Sequence, residues 1–406
     1  MIQGYAEDGL LGLLQASEQE KEERGIRYTP QEIFHQPATW QITRRICAEQ
    51  QPDLRRFLQE SGVEADGKGN ASPAVFLVGA GTSDYIGRAL VPVMRRMWKR
   101  DVWAVPSTDL LTNPEDLIFA DRPYLWVSFS RSGESSEGLA VLELAIERYP
   151  KVRHLLVTCN PKSRMAVACE KAAGHATVLA LDNSANDRGL AMTSSYTNMV
   201  VAGHCLAHVF FPKSYENTFS LLQQAGTRFL ERAQEAAAAL VQQGFSKACF
   251  VGSGALRAVA QESMLKVLEL TAGRIHTLAE STLGLRHGPM SVLDESTAFV
   301  NFVSRDPQRR NYDLDLIEEI HRKGLGKFLV AVVPESSPSL RKLTPWELSL
   351  DAPDLSDEYR APVDVMLGQL MGLFSSLRLG LKPDNPSPND AISRVVSHVK
   401  IYSRSE

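Results

Sequence analysis

One stretch of the sequence concentrates the residue types that move protons, Gln261 to Pro289, QESMLKVLELTAGRIHTLAESTLGLRHGP. Its first part predicts a helix, with Met264, Leu265, Val267, Leu268 and Leu270 as apolar contacts. Glu262, Lys266 and Glu269 stand at i, i+4 and i+7 and therefore share one helical face. A break at Gly273 and a short extended piece lead to His287-Gly288-Pro289. Proline biases the residue before it away from the α region, which places His287 on a loop. Two carboxylates, an ammonium and a histidine in one helix-loop unit can form a proton-transfer set. Taken alone, the same residues also describe a solvated Glu/Lys face with an unrelated surface histidine.

The rest of the chain supplies anion-binding chemistry. The strand Val75–Val78 runs into Gly79-Ala80-Gly81-Thr82-Ser83 and then an apolar helix reaching Trp98. A dinucleotide fingerprint needs a third glycine where Asp84 stands, so a nicotinamide site is rejected. The turn still presents backbone N–H groups and the Thr82 and Ser83 hydroxyls at a helix N-terminus, which suits an anion or serves as an ordinary cap. A second strand, Tyr124–Phe129, empties into Ser128-Phe129-Ser130-Arg131-Ser132-Gly133-Glu134-Ser135-Ser136. Five serines in nine residues exceed what capping one helix requires. Hydroxyls, helix N–H groups and one arginine together suit a phosphate monoester.

These loops need a scaffold of strand-loop-helix units. Helix Glu134–Glu147, strand His154–Thr158, a helix near Arg164–Lys171 and strand Thr177–Ala180 continue the pattern. Short apolar runs alternating with helices imply a parallel sheet covered on both faces. Helical patterns over Thr193–Phe211 and Glu216–Gln243 close this half. The design then restarts, since LVGAGTS at 77–83 is echoed by FVGSGAL at 250–256 with both glycines in register. Strands at Ala298–Val303 and Phe328–Val333 flank a helix at Tyr312–Lys323, and a tandem duplication follows. Ser336–Pro362 reads as a proline- and acid-rich loop before a helix at Val363–Leu379. The expected divisions are a helical arm (1–50), a first α/β domain (51–215), a second (216–388) and a tail (389–406).

Composition narrows the class. With 406 residues, 44% hydrophobic and 23% charged, the chain has the make-up of a soluble protein of two α/β domains. A net charge of −4 argues against a nucleic-acid partner, and no apolar run is long enough for a membrane partner. Five scattered cysteines without a CxxC pair fit reduced thiols in the cytoplasm. His204 and His208, at i and i+4, lack a third ligand and read as packed helix residues, not a metal pair. Cys159 reads as a buried structural thiol.

GAGTS, SRSGES, Cys159-Asn160, TSSYT at Thr193–Thr197 and LKVLE…RHGP resemble, in order and spacing, the tandem sugar-isomerase (SIS) domain family. ESTLGLRHGPMSVLD, with SRD and YDLDL, is similar to the AgaS-type branch of tagatose-6-phosphate ketose/aldose isomerases and galactosamine-6-phosphate deaminases. The resemblance implies two tandem three-layer α/β/α sandwiches with parallel sheets behind the helical arm. It implies a sugar phosphate held by Ser130, Arg131, Ser132 and Ser135, with Gly81, Thr82 and Ser83 near the sugar. Glu269 would carry a proton between C1 and C2, beside Lys266 and Glu262. His287 would open the sugar ring from the neighbouring subunit of a homodimer. No metal or organic cofactor is implied.

The expected reaction is conversion of galactosamine 6-phosphate to tagatose 6-phosphate and ammonia. The alternatives are plain aldose–ketose isomerisation and a non-catalytic sugar-phosphate sensor. Glutamine-dependent amino-sugar synthesis is set aside, since no glutaminase domain with an N-terminal cysteine precedes the repeat. Two positions depart from the family's synthase relatives, which carry lysines where this chain reads Ser194 and Ser397, with Lys400 near the latter but out of register.

Overall fold

The computed structural model describes residues 9–64, 72–387, 389, 391–396 and 399–402. Two five-stranded sheets organise the chain, and every strand pairing is parallel. The first sheet comprises β1 (Ala74–Gly79), β2 (Val102–Pro106), β3 (Tyr124–Ser130), β4 (Val152–Thr158) and β5 (Ala176–Ala180), in the order β2-β1-β3-β4-β5. The second comprises β6 (Lys247–Gly252), β7 (His276–Glu280), β8 (Thr297–Phe302), β9 (Phe328–Val333) and β10 (Trp346–Ser349), in the order β10-β9-β8-β6-β7. Read from the other edge, the second sheet has the order of the first with each strand replaced by its repeat. The duplication therefore extends from the glycine motif to the whole topology.

The central strands explain the parallel arrangement. β1 (AVFLVG) and β8 (TAFVNF) are buried at every position, as strands covered on both faces must be. α-Helices lie between successive strands except β7 and β8, which are joined through the short 3-10 turns Gly284–Arg286 and Pro289–Val292.

By packing, the chain divides into two compact units that are not contiguous in sequence. The first unit contains Ala38–Asn186, Ser194–Tyr215 and the described part of Ser393–Glu406. The second contains Asp187–Thr193, Glu216–Ile392 and the described part of Met1–Pro37. The expected arm over residues 1–50 is thus divided. Thr29–Phe34 belongs to the second unit, where Gln36 Nε2 donates to Gln369 Oε1 at 2.8 Å. Most of Gln36–Glu49 belongs to the first, where Trp40 Nε1 donates to Thr197 Oγ1 at 3.0 Å and Thr43 Oγ1 to Asn198 Oδ1 at 2.7 Å. Each half follows the partners that satisfy its buried polar groups, and sequence continuity has no bearing on that.

Two edge strands depart from the sequence expectation. β2 goes unannounced because its middle positions, Trp103 and Ala104, are not buried and the apolar run is short. β10 lies inside Ser336–Pro362, where proline and acidic residues predict loop; it pairs only with β9. Among the described residues no helix is long and apolar enough to cross a membrane.

Candidate functional site

In the first sheet the strand order reverses between β1 and β3, the place where open parallel sheets bind ligands beyond their strands' carboxyl ends. Both motifs that the sequence suggests for an anion leave from these two strands. After β1, Gly81 takes φ 56° and ψ −124° and caps the helix Thr82–Trp98. Thr82 and Ser83 are buried at its first turn, and Ser83 backbone lies where a Cβ on Gly79 would be 2.4 Å away. The tight approach puts the helix N-terminus directly over the strand end. Asp84 is bonded to Arg88 at 2.8 Å, and burial raises its carboxyl against the pull of that guanidinium.

After β3 the serine loop folds onto itself. Gly133 N–H donates to Ser130 Oγ at 3.0 Å, and Glu134 N–H donates to Ser132 Oγ at 3.2 Å. With a lone pair engaged in this way, each hydroxyl keeps its O–H as a donor. Gly133 sits at φ 62°, and a Cβ there would come 2.1 Å from Ser163 Oγ, so only glycine fits. Neighbouring residues fix the loop from below. Asn160 Nδ2 donates to Ser132 O at 3.1 Å, and Arg164 Nε reaches Glu134 Oε2 at 2.8 Å. Ser135 caps the helix Ser136–Arg148 without a side-chain cap bond.

Arg131 is placed differently from its three serine neighbours. It is 5% exposed, and its Nη2 donates to the Arg394 carbonyl at 2.6 Å. Ser136 N–H donates to the Val396 carbonyl at 3.0 Å. The segment around 394–396, expected as a tail, therefore lies against the serine loop and takes one of its helix-terminal donors. Of the positions compared with the synthase lysines, Ser397 lies outside the described residues, Ser194 is buried, and Lys400 is exposed with its Nζ 4.8 Å from the Tyr402 ring.

In the second unit, the helix Ala255–Leu270 starts from a turn of the same shape, with Gly254 at φ 60° and ψ −127°. Its face carries the three predicted residues into direct contact. Lys266 Nζ lies 2.5 Å from Glu269 Oε2 and 3.3 Å from Glu262 Oε1. Lys266 and Glu262 are fully buried, while the Glu269 side chain is 24% exposed. Burial alone would lower the ammonium's pKa, but the Glu262 and Glu269 charges outweigh it and hold it above its usual value. Lys266 is thus a fixed cation, one carboxylate is its buried partner, and the other reaches outward.

That burial comes from the helix Ala361–Arg378, which is buried along nearly its whole length. At Gly368 a Cβ would lie 2.4 Å from Ser263 Cβ, and at Gly372 one would lie 2.9 Å from the Lys266 carbonyl. The two glycines, four residues apart, let the helix backbones approach closely enough to seal Lys266 from water.

His287 is not part of that triad. Its ring is exposed on the loop after β7, between the turn Gly284–Arg286 and Gly288, which has φ 117°. Arg286 Nε bonds Glu319 Oε2 at 2.7 Å, and the buried Thr282 donates to Asp313 Oδ1 at 2.5 Å. These anchors hold the loop while leaving the imidazole outside. Sequence reasoning overlooked Asn160's role beneath the serine loop, Arg164 and Asp313. An asparagine-proline pair directly after a strand was the available signal for the first.

The remaining candidates are structural. His204 Nδ1 meets Tyr215 Oη at 3.1 Å, and His208 Nδ1 meets Ser214 Oγ at 2.7 Å. Cys159 is buried, its Sγ 3.5 Å from the Ala185 carbonyl.

Two parallel α/β sheets, a hydroxyl-rich loop at a switch point and a buried carboxylate–ammonium set define the class as a tandem α/β protein with a polar crevice at its strand ends. Comparison with known proteins narrows the class. Residues 70–209 match the SIS domain. The chain is 38% identical to an AgaS-type protein of Streptomyces coelicolor over 93% of this chain and 95% of that one. It is 35% identical to the D-galactosamine-6-phosphate deaminase AgaS of Escherichia coli O157:H7, over 92% and 95%. The crystal structure of tagatose-6-phosphate ketose/aldose isomerase from Escherichia coli superposes with a TM-score of 0.81 at 32% identity, covering 92% of this chain and 96% of that one. The chain belongs to the SIS family, in its AgaS-type branch.

Proposed function

We propose that this enzyme is an amino-sugar phosphate isomerase-deaminase that converts D-galactosamine 6-phosphate to D-tagatose 6-phosphate and ammonia. The observation that carries the reading is the ion triad, in which a buried Lys266 orients a partly exposed Glu269. A carboxylate oriented by a fixed cation on a rigid helix can take and return one proton without a metal or organic cofactor. The phosphate is assigned to Ser130, Ser132, Ser135 and the N–H groups of their loop, and the sugar end to Gly81, Thr82 and Ser83. Arg131 supports that loop through its bond to the Arg394 carbonyl.

The steps follow from the substrate. Ring opening, assigned to His287, gives the C1 aldehyde. Glu269 removes the C2 proton; the bonding pair forms the C1=C2 double bond, O1 takes a proton, and an enolamine results. Glu269 returns its proton to C1, the nitrogen releases a proton that balances the one O1 took, and a C2 ketimine results. Water adds to C2, the C–N bond breaks, and ammonia leaves behind the ketose phosphate. His287 is exposed on its own chain, which supports a homodimer in which each subunit lends this histidine to its neighbour. Free cysteines at all five positions support a reducing, cytoplasmic setting.

The name of the solved Escherichia coli relative favours a second reading, aldose–ketose isomerisation without loss of the amine. Ammonia release from galactosamine 6-phosphate, measured beside glucosamine 6-phosphate and repeated with Glu269→Gln, separates the two. Ammonia from the galacto substrate, abolished in the variant with the fold intact, is the expected result. No ammonia, with C1 proton exchange in tagatose 6-phosphate, would replace the deaminase reading by the isomerase one.

A further inference from the structure

The second sheet has a switch point of its own, between β6 and β8, and the loops leaving it repeat the plan of the first. Val78 pairs with Ser128, and its repeat partner Val251 pairs with Asn301. From there the chain runs to the helix cap Ser135 in the first unit and to Asp306 in the second, so the second loop is two residues shorter. Gly254 repeats the backbone angles of Gly81. Hydroxyl and backbone N–H donors converge on this second crevice as well, joined here by guanidinium groups, and what they converge on is a carboxylate.

Asp357 is 4% exposed and receives four donors. Ser304 Oγ donates to its Oδ2 at 2.5 Å and Arg309 Nη1 to the same oxygen at 3.0 Å. Arg305 N–H donates to Oδ1 at 2.8 Å, and Arg360 Nη1 lies 3.4 Å from Oδ1. Arg309 Nη1 would be 3.4 Å from a Cβ on Gly254, so the Arg309–Asp357 pair reaches across to the other loop of the switch point. Beside it, the buried Asp313 accepts from Ser304 N–H at 2.8 Å and from Thr282 Oγ1. One hydroxyl, one loop N–H and two guanidinium groups form a donor set suited to a free oxyanion.

We infer that the second crevice is an anion site of the same construction as the phosphate loop, permanently liganded by the chain's own Asp357 carboxylate. Each chain therefore takes up one phosphate group, at the first unit alone. The count of one rests on the phosphate-loop reading above, whereas the role of Asp357 does not.

Two measurements on the full chain test this. Equilibrium dialysis with inorganic phosphate is expected to give one phosphate per chain in the wild type and none in Ser130→Ala/Ser132→Ala. A phosphate retained by that variant would overturn the inference, because the second crevice would then be open. Zero in the wild type would refute the phosphate-loop reading and leave the second measurement to decide. That measurement replaces the carboxylate. Asp357→Ala creates a space of formate size and Asp357→Gly one of acetate size, and each is expected to melt below the wild type. Tens of millimolar of the matching carboxylate should raise the variant's melting point by several degrees, chloride should not, and the wild type should stay unmoved, by mass action on a folded-state site. If a variant is unfolded without the anion, its folding on addition is the same readout. Asp357→Asn, which fills the space without charge, should melt lower and gain nothing from formate. A lack of response to formate or acetate in both space-creating variants would overturn the assignment.

Discussion

Replacing Lys266 by methionine keeps the length of the side chain and removes the charge that joins Glu262 to Glu269. Glu262 is fully buried, and its Oε1 is 3.3 Å from the Lys266 ammonium. Without that cation it must either stay ionised in the interior or take up a proton. Removing one partner of a buried pair costs about 3–5 kcal/mol. The protonation route gives a similar figure: holding a proton at pH 7 on a carboxyl of ordinary pKa near 4.3 costs roughly 2.7 pH units at 1.36 kcal/mol, about 4 kcal/mol. The two routes differ little in size, but protonation adds a pH signature. In the variant the Glu262 pKa is raised in the folded state, so the native protein holds a proton that the unfolded chain releases. Stability then rises as pH falls toward the unfolded value, by about 2.7 kcal/mol between pH 7 and pH 5. Urea unfolding of wild type and Lys266→Met at both pH values gives this as a difference, in which other titrating groups cancel. The Lys266→Met/Glu262→Gln double variant should recover most of the loss, with a coupling of roughly 2 kcal/mol or more. Additivity within about 0.5 kcal/mol, or a loss that does not change between pH 7 and 5, would refute a buried charge pair.

Ser132→Ala should raise KM for the sugar phosphate by tenfold or more, on the order of 1.5–3 kcal/mol for a hydrogen bond to a charged group, with a smaller effect on kcat; steady-state kinetics of ammonia release checks it. Gly133→Ala combines a φ of 62° with a Cβ 2.1 Å from Ser163 Oγ, so it should cost about 1–3 kcal/mol in chemical unfolding and weaken phosphate binding in the same variant. Glu32 is raised to about 8, first by burial and then by the nearby Asp187 charge. A raised carboxyl binds more protons folded than unfolded, so its contribution to stability declines as pH rises from about 4.5 to 8; Glu32→Gln should flatten that slope in unfolding curves, and superimposable slopes would contradict it.

The β-α alternation, both glycine turns and the i, i+4, i+7 face of Glu262, Lys266 and Glu269 were legible because each is a local pattern. A continuous apolar run specifies a buried strand, and helical spacing alone places three side chains on one face. The SRSGES loop was legible for the same reason, since its hydroxyls and its helix start adjoin in sequence. The edge strands β2 and β10 were not, because a strand with one neighbour needs no long apolar run, and what makes it a strand is a partner distant in sequence. The division of the arm and the docking of residues 394–396 on the serine loop rest on contacts between segments far apart in the chain.

The duplicated α/β plan, the serine loop at a helix start and the shared face of Glu262, Lys266 and Glu269 are set by the sequence alone. Each of those is written in spacing within a few turns of chain. Long-range packing alone fixes that Lys266 is sealed from water by the Gly368 and Gly372 face of a helix a hundred residues away, that Arg131 bonds a carbonyl of the C-terminal segment, and that Asp357 fills the second crevice. Burial and pairing of charge depend on what packs against a residue, and that is fixed only when distant segments meet.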